Sequence, residues 1–208
     1  MSGLYEPLFR RVLYPAYESG LRRRGTLRYL AEYERDQWRS ADELQALQWR
    51  KLQALVAHCW ANVPFYRQLW GEAGVADAAD IRDRDDYARL PVLTKALIRA
   101  HFDAMIAATH RDDLYFKATG GSTGEPMRFG YTRESYERRV AVMFRGYAWS
   151  GARLGQRTVY LWGAPVAAPA GFALFKDRLY HAAFHRRMLN AFDMDERRMA
   201  EYADAIDR

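Results

Sequence analysis

The chain has 208 residues, half of them hydrophobic, and a formal net charge of +6 at pH 7. This length predicts one domain, or one domain with a small appendage, and no apolar run approaches the roughly 20 residues of a membrane-spanning helix. The single cysteine, Cys59, excludes an internal disulfide framework and favours a reducing compartment, so we predict a cytoplasmic protein.

The positive charge is carried almost wholly by arginine. Acidic residues are interspersed along the chain, and the densest basic cluster is residues 22–24. A nucleic-acid-binding protein is therefore not predicted, because the charge forms no long basic stripe and no groove-reading motif is visible.

The first predicted element is an amphipathic helix over residues 4–18. Its apolar side chains recur every four residues in two series, Leu4, Leu8 and Val12, and Tyr5, Phe9 and Leu13. Arg10, Arg11 and residues 22–24 give this segment a basic side. We interpret the apolar face as packing on the protein's own core. A helix that docks on a membrane surface or an acidic partner stays open as the alternative.

More helices follow up to residue 74. One is predicted from Thr26 to Trp38, and the next begins after Ser40, where Glu43 completes a capping-box pattern. Pro64 ends that helix near residue 62, and a short fourth helix follows. Residues 75–93 predict irregular structure. We therefore expect residues 1–93 to form a helical N-terminal region.

Strands and helices alternate in the rest of the chain. Thr94 is a predicted cap for a helix over 95–102, and Thr132 for a helix that ends at Gly151 or Gly155. The predicted strands cover residues 113–118, 127–131, 157–163 and 188–192, and the predicted later helices cover 171–185 and residues from 193 or 195 onward. This alternation predicts an α/β layer with parallel strands, and the strand at 157–163 reads as covered on both faces.

A loop rich in glycine and hydroxyl side chains joins the first two predicted strands. Its residues are Thr119, Gly120, Gly121, Ser122, Thr123 and Gly124, followed by Glu125 and Pro126. Glycine lets a backbone approach a ligand closely, and successive N–H groups can form an anion-binding concavity. Glu125 excludes a Walker A loop, and Thr119 stands where the dinucleotide fingerprint needs glycine. An ordinary hairpin loop is the alternative.

In its full order this run resembles the signature Thr/Ser-Ser/Gly-Gly-Ser/Thr-Thr-Gly-x-Pro of the adenylate-forming (AMP-forming) ligases, the acyl-CoA synthetase superfamily. Within it, the chain looks like the phenylacetate–CoA ligase branch, which includes CapK-type proteins of capsular polysaccharide synthesis. The run Leu90-Pro91-Val92-Leu93-Thr94-Lys95 also resembles the segment that leads into the loop in that branch.

The resemblance implies a fold and a reaction. Residues 94–208 would be the first strand–helix units of an acyl-adenylate-synthetase large domain, which is incomplete here. The loop, as Thr119, Gly120, Gly121, Ser122, Thr123 and Gly124, would bind the phosphates of ATP with Mg²⁺. The implied substrate is a carboxylic acid, with aromatic acids as one candidate class and CoA as the expected acceptor. Glu125 and Met127 stand where many members carry lysine, and Lys117, Arg128 or Arg133 are candidates to offset the charge of Glu125.

The family's other motifs, such as Tyr-Gly-x-Thr-Glu and a late lysine, are absent, so we assign no catalytic residue. The last helix meets no glycine or proline stop, and we expect an N-terminal part of a longer protein that is inactive alone. His181 and His185 are spaced as metal ligands on a helix, but no third ligand fits, so no metal site is predicted. A non-catalytic binding module with a basic N-terminal helix is the alternative function.

Overall fold

The computed structural model describes residues 4–120, 126–163, 171–192 and 194–207. Its α-helices are α1 (Tyr5–Leu8), α2 (Thr26–Asp36), α3 (Ala41–Asn62), α4 (Pro64–Glu72), α5 (Arg84–Ala88), α6 (Lys95–Ala100), α7 (Arg133–Trp149), α8 (Phe172–Ala183) and α9 (Glu196–Asp207). Its strands are β1 (Tyr115–Ala118), β2 (Arg128–Tyr131), β3 (Thr158–Trp162) and β4 (Arg186–Asn190). The predicted mixed α/β class is confirmed.

The described chain divides into two compact units. One comprises Met1–Ala31 with Val140–Arg208, and the other comprises Glu32–Arg139. The predicted division into residues 1–93 and 94–208 concerns the layout of the family's fold and stays a prediction. Within the described ranges, none of the helices has both the length and the apolar character needed to cross a bilayer.

Helices α3 and α4 form the core of the Glu32–Arg139 unit. The capping box is confirmed, because the Glu43 N–H donates to Ser40 Oγ at 3.3 Å and the Ser40 N–H donates to Glu43 Oε2 at 2.9 Å. Pro64 ends α3 and is also the first residue of α4. The buried core residues of this region are Val56, Trp70 and Ile81, with Trp49, Cys59, Trp60, Tyr66 and Leu69 among the side chains packed around them. The aromatic residues here are therefore mostly core, as their helical spacing indicated.

The segment 75–93 is more ordered than predicted. A 3₁₀ turn covers Ala78–Asp80, and α5 follows it. Asp77 Oδ1 accepts from the Ala79 N–H at 2.8 Å, and Asp83 Oδ1 accepts from the Asp86 N–H at 2.8 Å. The prediction of irregular structure was wrong because these carboxylates cap single turns, which are too short to show an apolar period.

The N-terminal helix differs from its prediction in which face it buries. After α1 the chain forms π-helical turns over Phe9–Leu13 and Ala16–Leu21. Phe9 and Tyr14 are 4% and 3% exposed, whereas Leu8 and Val12 remain 49% and 53% exposed. The Tyr14 N–H bonds to the carbonyl of Phe9, five residues earlier, so the π turn places Tyr14 where the four-residue spacing expected Leu13.

Aromatic side chains hold the N-terminal helix to the end of α8 within the unit of Met1–Ala31 and Val140–Arg208. The Tyr5 hydroxyl donates to the Ala183 carbonyl at 2.7 Å, and its ring stacks on His185 with centroids 3.9 Å apart. Phe184 meets the ring of Phe9 edge-on at 5.0 Å. Each contact joins residues more than 170 positions apart in sequence.

Strands β3 and β4 form a two-stranded parallel sheet, which confirms the predicted parallel arrangement. The register runs from Thr158 opposite Arg186 to Trp162 opposite Asn190. Strand β4 begins two residues earlier than predicted. Leu161 and Trp162 are about half exposed, so the prediction of a strand covered on both faces is wrong at this end.

Candidate functional site

The predicted loop is carried by an antiparallel hairpin. Strands β1 and β2 pair from Tyr115 opposite Tyr131 to Ala118 opposite Arg128. Beyond the strands, the Thr119 N–H donates to the Met127 carbonyl at 2.9 Å, and the Met127 N–H donates to Thr119 Oγ1 at 2.9 Å. These two bonds close the neck of the loop, so its two ends are fixed at the tip of the hairpin.

Thr119 and Gly120 are the predicted site residues that the structure describes, and both follow β1 directly. A Cβ added to Gly120 would meet no atom within 4 Å, so nothing described crowds the chain there. The other predicted site residues, Gly121, Ser122, Thr123 and Gly124, lie outside the described residues, and their phosphate-binding role stays a prediction.

One face of the hairpin holds a lysine against tyrosine rings. Tyr115 and Tyr131 stack across the strands with centroids 5.9 Å apart. Lys117 Nζ lies 5.4 Å from the centroid of Tyr131 and 6.0 Å from that of Tyr136 in α7. The Lys117 ammonium group therefore lies against tyrosine rings on this face, and its residue stands two positions before Thr119.

The opposite face holds an arginine against two neighbouring phenylalanine rings. Arg128 Cζ lies 4.3 Å from the ring centroid of Phe116 and 5.0 Å from that of Phe102. Gly130 pairs with Phe116 across the strands, and a Cβ there would lie 3.1 Å from Leu114 Cδ1 and 3.2 Å from Phe116 Cε1. The missing side chain therefore leaves room for the ring on which Arg128 rests.

The predicted lead-in and the residues after it connect the hairpin to the core of its unit. Thr94 Oγ1 accepts from the Leu97 N–H at 3.1 Å, which confirms Thr94 as the cap of α6. His101, just after α6, lies 5.1 Å from the ring of Phe65 in α4. Phe102 comes next and lies 6.0 Å from the ring of Phe116 in β1. The residues that follow α6, rather than the run 90–95 itself, thus contact both α4 and the hairpin.

The start of α7 fixes the other end of the hairpin. Thr132 Oγ1 accepts from the Ser135 N–H at 3.1 Å, which confirms Thr132 as a helix cap directly after β2. This cap sets the first turn of α7 and brings Tyr136 against Tyr131, with ring centroids 6.1 Å apart. The hairpin therefore has a packed element at each end of its sequence.

The structure separates the three cations that were candidates to offset Glu125. Arg133 Nε donates to Glu137 Oε1 at 2.9 Å, and this carboxylate is buried. Lys117 and Arg128 have aromatic rings as their contacts, and in the described part of the chain no carboxylate lies within ion-pair distance of either. Two of the three candidates thus keep their charge available.

The sequence did not reveal Phe102 and Tyr136, which hold these two cations. A partial signal for them exists once the hairpin register is known. Residues 115, 117, 129 and 131 then share one face, and residues 116, 118, 128 and 130 share the other. The register thus places Lys117 and Arg128 on opposite faces, but it does not identify the rings of the flanking segments that contact them.

The two histidines considered as metal ligands have other roles. Helix α8 ends at Ala183, and His185 has a φ of 48° and stacks on Tyr5. His181 Nδ1 accepts from Arg186 Nε at 3.0 Å, and burial together with the Arg186 charge lowers the pKa of His181. Among the described residues, no group of three His, Cys, Asp or Glu side chains is placed to hold a metal ion.

Cys59 behaves as a structural thiol. It is half-buried beside the core of Val56 and Trp70, and burial raises the pKa of its thiol. The reactive thiolate form is therefore disfavoured, in agreement with the buried role that its apolar neighbours indicated.

No protein-family model matches the chain. Its sequence is similar to curated phenylacetate-coenzyme A ligases. It is 37% identical to that of Thermus thermophilus over 115 residues, 32% identical to that of Aromatoleum evansii over 125 residues, and 32% identical to that of Escherichia coli over 113 residues. These matches cover 55%, 60% and 54% of this chain, and 26%, 28% and 26% of the relatives. The chain thus spans about a quarter of the length of these relatives.

The fold is similar to that of a solved acyl-CoA ligase. The crystal structure of 2-hydroxyisobutyryl-CoA ligase, in complex with 2-HIB-AMP and CoA, matches with a TM-score of 0.55 at 21% identity. The match covers 80% of this chain and 36% of that chain. The sequence relatives and this structural match both agree with the resemblance: the chain is similar in sequence to part of the phenylacetate-coenzyme A ligases, and it shares part of the fold of a solved acyl-CoA ligase.

Proposed function

We propose that this chain forms the phosphate-binding part of an ATP-dependent, AMP-forming carboxylate ligase. The observation that carries the proposal is the closed neck between Thr119 and Met127, which presents the signature loop at the tip of a packed hairpin. In the proposed reaction a carboxylate oxygen attacks the α-phosphorus of ATP. The bond to the bridging oxygen breaks, and pyrophosphate leaves with its electron pair.

The chain's part in this reaction is to position and neutralise phosphate. The proposed phosphate-binding residues are Thr119, Gly120, Gly121, Ser122, Thr123 and Gly124. Backbone N–H groups and hydroxyls of such a loop are donors to phosphate oxygens. Preorganised donors lower the barrier because they need little reorganisation as charge develops. The hydrogen-bonded neck of the hairpin holds the two ends of the loop together and so supports such donors.

Further features of the proposal come from the relatives, from the family resemblance and from Cys59 rather than from this hairpin. We propose that Mg²⁺ would neutralise part of the phosphate charge when bound, and that the substrate is a carboxylic acid, with aromatic acids as one class. CoA is the proposed acceptor: its thiol sulfur attacks the acyl carbon, and AMP leaves. The CapK-type resemblance favours surface-polysaccharide synthesis as the context. The single half-buried thiol of Cys59 favours the cytoplasm.

Equilibrium binding tests the proposal directly. In the whole protein that carries this chain, the double substitution Ser122→Ala with Thr123→Ala should weaken ATP binding, because two phosphate donors are lost. Isothermal titration of ATP with Mg²⁺ measures the affinity, and carboxylate-dependent pyrophosphate release measures the activity. Thr109→Ala, at an exposed site away from the hairpin, is the matched control. Unchanged affinity and pyrophosphate release in the double variant would refute the proposal.

The 208-residue chain alone should release no pyrophosphate, since the motifs for the adenine, the ribose and the late lysine are absent from its sequence. A pyrophosphate-coupled assay with purified chain, ATP, Mg²⁺ and a panel of aromatic and aliphatic acids checks this. Carboxylate-dependent turnover by the chain would show that it holds a complete active site.

The exposed face of the N-terminal helix favours a second candidate function, docking on an anionic membrane surface. The exposed apolar side chains of this face are Leu4, Leu8, Val12, Leu13 and Leu21. Both acidic residues of the segment have partners, since Glu6 lies 3.8 Å from Arg10, and Glu18 accepts from the hydroxyl of Thr26, at the start of α2, at 2.7 Å. Arg11 adds an exposed positive charge. An apolar stripe beside basic residues is the composition of an interfacial helix.

Vesicle sedimentation tests this second function. The protein should sediment with vesicles that contain phosphatidylserine at low salt, and less so as salt screens the attraction. Leu8→Glu with Val12→Glu should abolish sedimentation, whereas Leu55→Glu, an exposed apolar residue on α3, should not. Equal sedimentation of all variants would exclude the N-terminal helix as the docking surface.

A further inference from the structure

We propose that Lys117 and Arg128 bind the phosphate tail of the nucleotide and offset the negative charge that Glu125 adds to the loop. The inference rests on the proposed function, because it requires a polyphosphate at the tip of the hairpin. It goes further by assigning two binding residues outside the signature loop.

The first observation is the position of the two cations at the neck. Arg128 follows Met127 directly, and Lys117 stands two residues before Thr119. At about 3.3 Å per strand residue, both Cα atoms lie within about 7 Å of the neck along their strands, a distance that long side chains span. Their side chains leave opposite faces of the hairpin. They therefore flank whatever the loop binds.

The second observation is that aromatic rings hold both cations. Arg128 rests on Phe116 and Phe102, and Lys117 rests on Tyr131 and Tyr136. A ring attracts a cation through its quadrupole and does not neutralise the charge. The contact also restricts the rotamers of a long side chain, so less entropy is lost when an anion binds. The charges are thus positioned in advance.

The third observation is the contrast with the arginines of the neighbouring helix. In α7, Arg133 bonds to Glu137 at 2.9 Å, and Arg138 bonds to Glu134 at 2.9 Å. Both are ordinary helical ion pairs four residues apart. Lys117 and Arg128 have no such pair within the described ranges of the chain. Two arginines of α7 are thus neutralised by helical ion pairs, whereas Lys117 and Arg128 keep their charge, as does Arg139 against the ring of Tyr136.

The negative charge of the loop explains why two cations beside it would be needed to bind a polyphosphate. Glu125 brings a carboxylate into the loop that is proposed to hold phosphate. Like charges repel more strongly as a ligand excludes water from between them. An arginine fork and a lysine ammonium group are suitable donors to phosphate oxygens, and here they offset this repulsion.

The experiment compares nucleotide affinities in the whole protein. Titrations use ATP with Mg²⁺, and AMP as the probe without the phosphate tail. Arg128→Met and Lys117→Met should each weaken ATP binding about tenfold, as expected for the loss of a charge-assisted contact. AMP binding should change little, and the deficit for ATP should shrink at high salt. Arg50→Met, an exposed residue of α3, removes the same charge and should leave ATP affinity unchanged.

Two further variants separate charge from packing. Arg128→Lys keeps the charge and should retain most of the ATP affinity. If Arg128→Lys weakens ATP binding as much as Arg128→Met does, the inference is wrong. Glu125→Gln removes the carboxylate charge and should tighten ATP binding. Combined with Arg128→Met, it should recover part of the lost affinity.

The outcomes separate this inference from the proposed function. If the wild-type protein binds ATP and both methionine variants bind it equally well, the inference is wrong and the proposed function stands. If the wild-type protein binds no ATP, or if Ser122→Ala with Thr123→Ala leaves ATP affinity and pyrophosphate release unchanged, the proposed function itself fails. Equal losses for ATP and AMP would also overturn the inference, because the cations would then not act on the phosphate tail.

Discussion

The two small sheets of this chain are stabilised in different ways. The β1–β2 hairpin is closed by hydrogen bonds between neighbours in sequence, and its two faces are packed by Phe102 and Tyr136, which lie within 15 residues of the strands. The segment that leads into β4 instead packs on the N-terminal helix, more than 170 residues away. The lesson is that the candidate site depends on local sequence, whereas the parallel sheet depends on distant packing.

The largest expected effect is a loss of stability when the packing of the N-terminal helix on the segment before β4 is disrupted. Phe9→Ala removes a buried ring that contacts Tyr14 and Phe184, and should lower the free energy of unfolding by about 3–5 kcal/mol. Chemical denaturation measures the loss. Leu8→Ala, next in sequence but half exposed, should cost less than about 1 kcal/mol. Equal losses would show that the burial of Phe9 does not stabilise the unit.

Two glycines, one packed against the N-terminal helix and one in the hairpin, test whether the two regions differ in how much they tolerate an added methyl group. A Cβ at Gly155 would lie 3.1 Å from Phe9 Cβ and 3.2 Å from Glu6 Cα, on a backbone with a φ of +87°. Gly155→Ala should therefore cost about 2 kcal/mol or more, from strain and from contact with backbone. At Gly130 the close atoms are the ends of the Leu114 and Phe116 side chains, which can shift, so Gly130→Ala should cost about 1 kcal/mol or less. Thermal unfolding measures the loss of stability in each variant, and a larger loss for Gly130→Ala than for Gly155→Ala would contradict this prediction.

The sequence predicted well where the controlling interactions are local. Ser40, Thr94 and Thr132 were each identified as helix caps, and each accepts the expected backbone N–H. The hairpin strands and the parallel pairing of β3 with β4 were also predicted to within a few residues. Helix caps, turns and strand propensities depend on a few neighbouring residues, so they can be predicted without knowledge of the tertiary structure.

The sequence-based predictions failed where distant packing or hydrogen-bond geometry determines which residues are buried and which side chains are in contact. The π turn after Phe9 exchanges Leu13 for Tyr14 on the buried face, and no four-residue period contains that information. The aromatic contacts of Lys117 and Arg128 likewise require the hairpin register. For the site itself, the neck residue Thr119 is now located, whereas the role of residues 121–124 rests on the signature alone.

A third, smaller effect is expected at the neck of the hairpin. Thr119→Val removes the oxygen that accepts from the Met127 N–H, at a cost of about 1 kcal/mol. Because the bond is local, we expect faster amide hydrogen exchange at Met127 with little change in the thermal midpoint. Thr119→Ser keeps the acceptor and should preserve the exchange rate. A slow Met127 amide in the valine variant would show that the neck does not need the hydroxyl.

The smallest expected effect is a pH dependence in the distant packing. Burial, reinforced by the Arg186 charge, lowers the pKa of His181, while Asp177 at 3.5 Å partly opposes this shift. The unfolded chain therefore binds a proton at a higher pH than the folded chain does. Stability from neutral His181 is thus present above the unfolded value near 6.5 and is lost as the pH falls below it.

Thermal midpoints at pH 7.5 and 5.5 measure this dependence. His181→Gln keeps an acceptor for Arg186 without titrating, so the midpoint of the variant should fall less between the two pH values than that of the wild type. His110→Gln, at an exposed residue of the Glu32–Arg139 unit, should leave the wild-type dependence unchanged. If the His181 variant has the wild-type slope, the acid sensitivity belongs to other groups. If the midpoint of the His181 variant depends less on pH, protonation of this one histidine weakens the packing around β4. The hydrogen bonds between Thr119 and Met127 contain no titrating group, so the amide hydrogens at the neck of the hairpin should exchange slowly at both pH values.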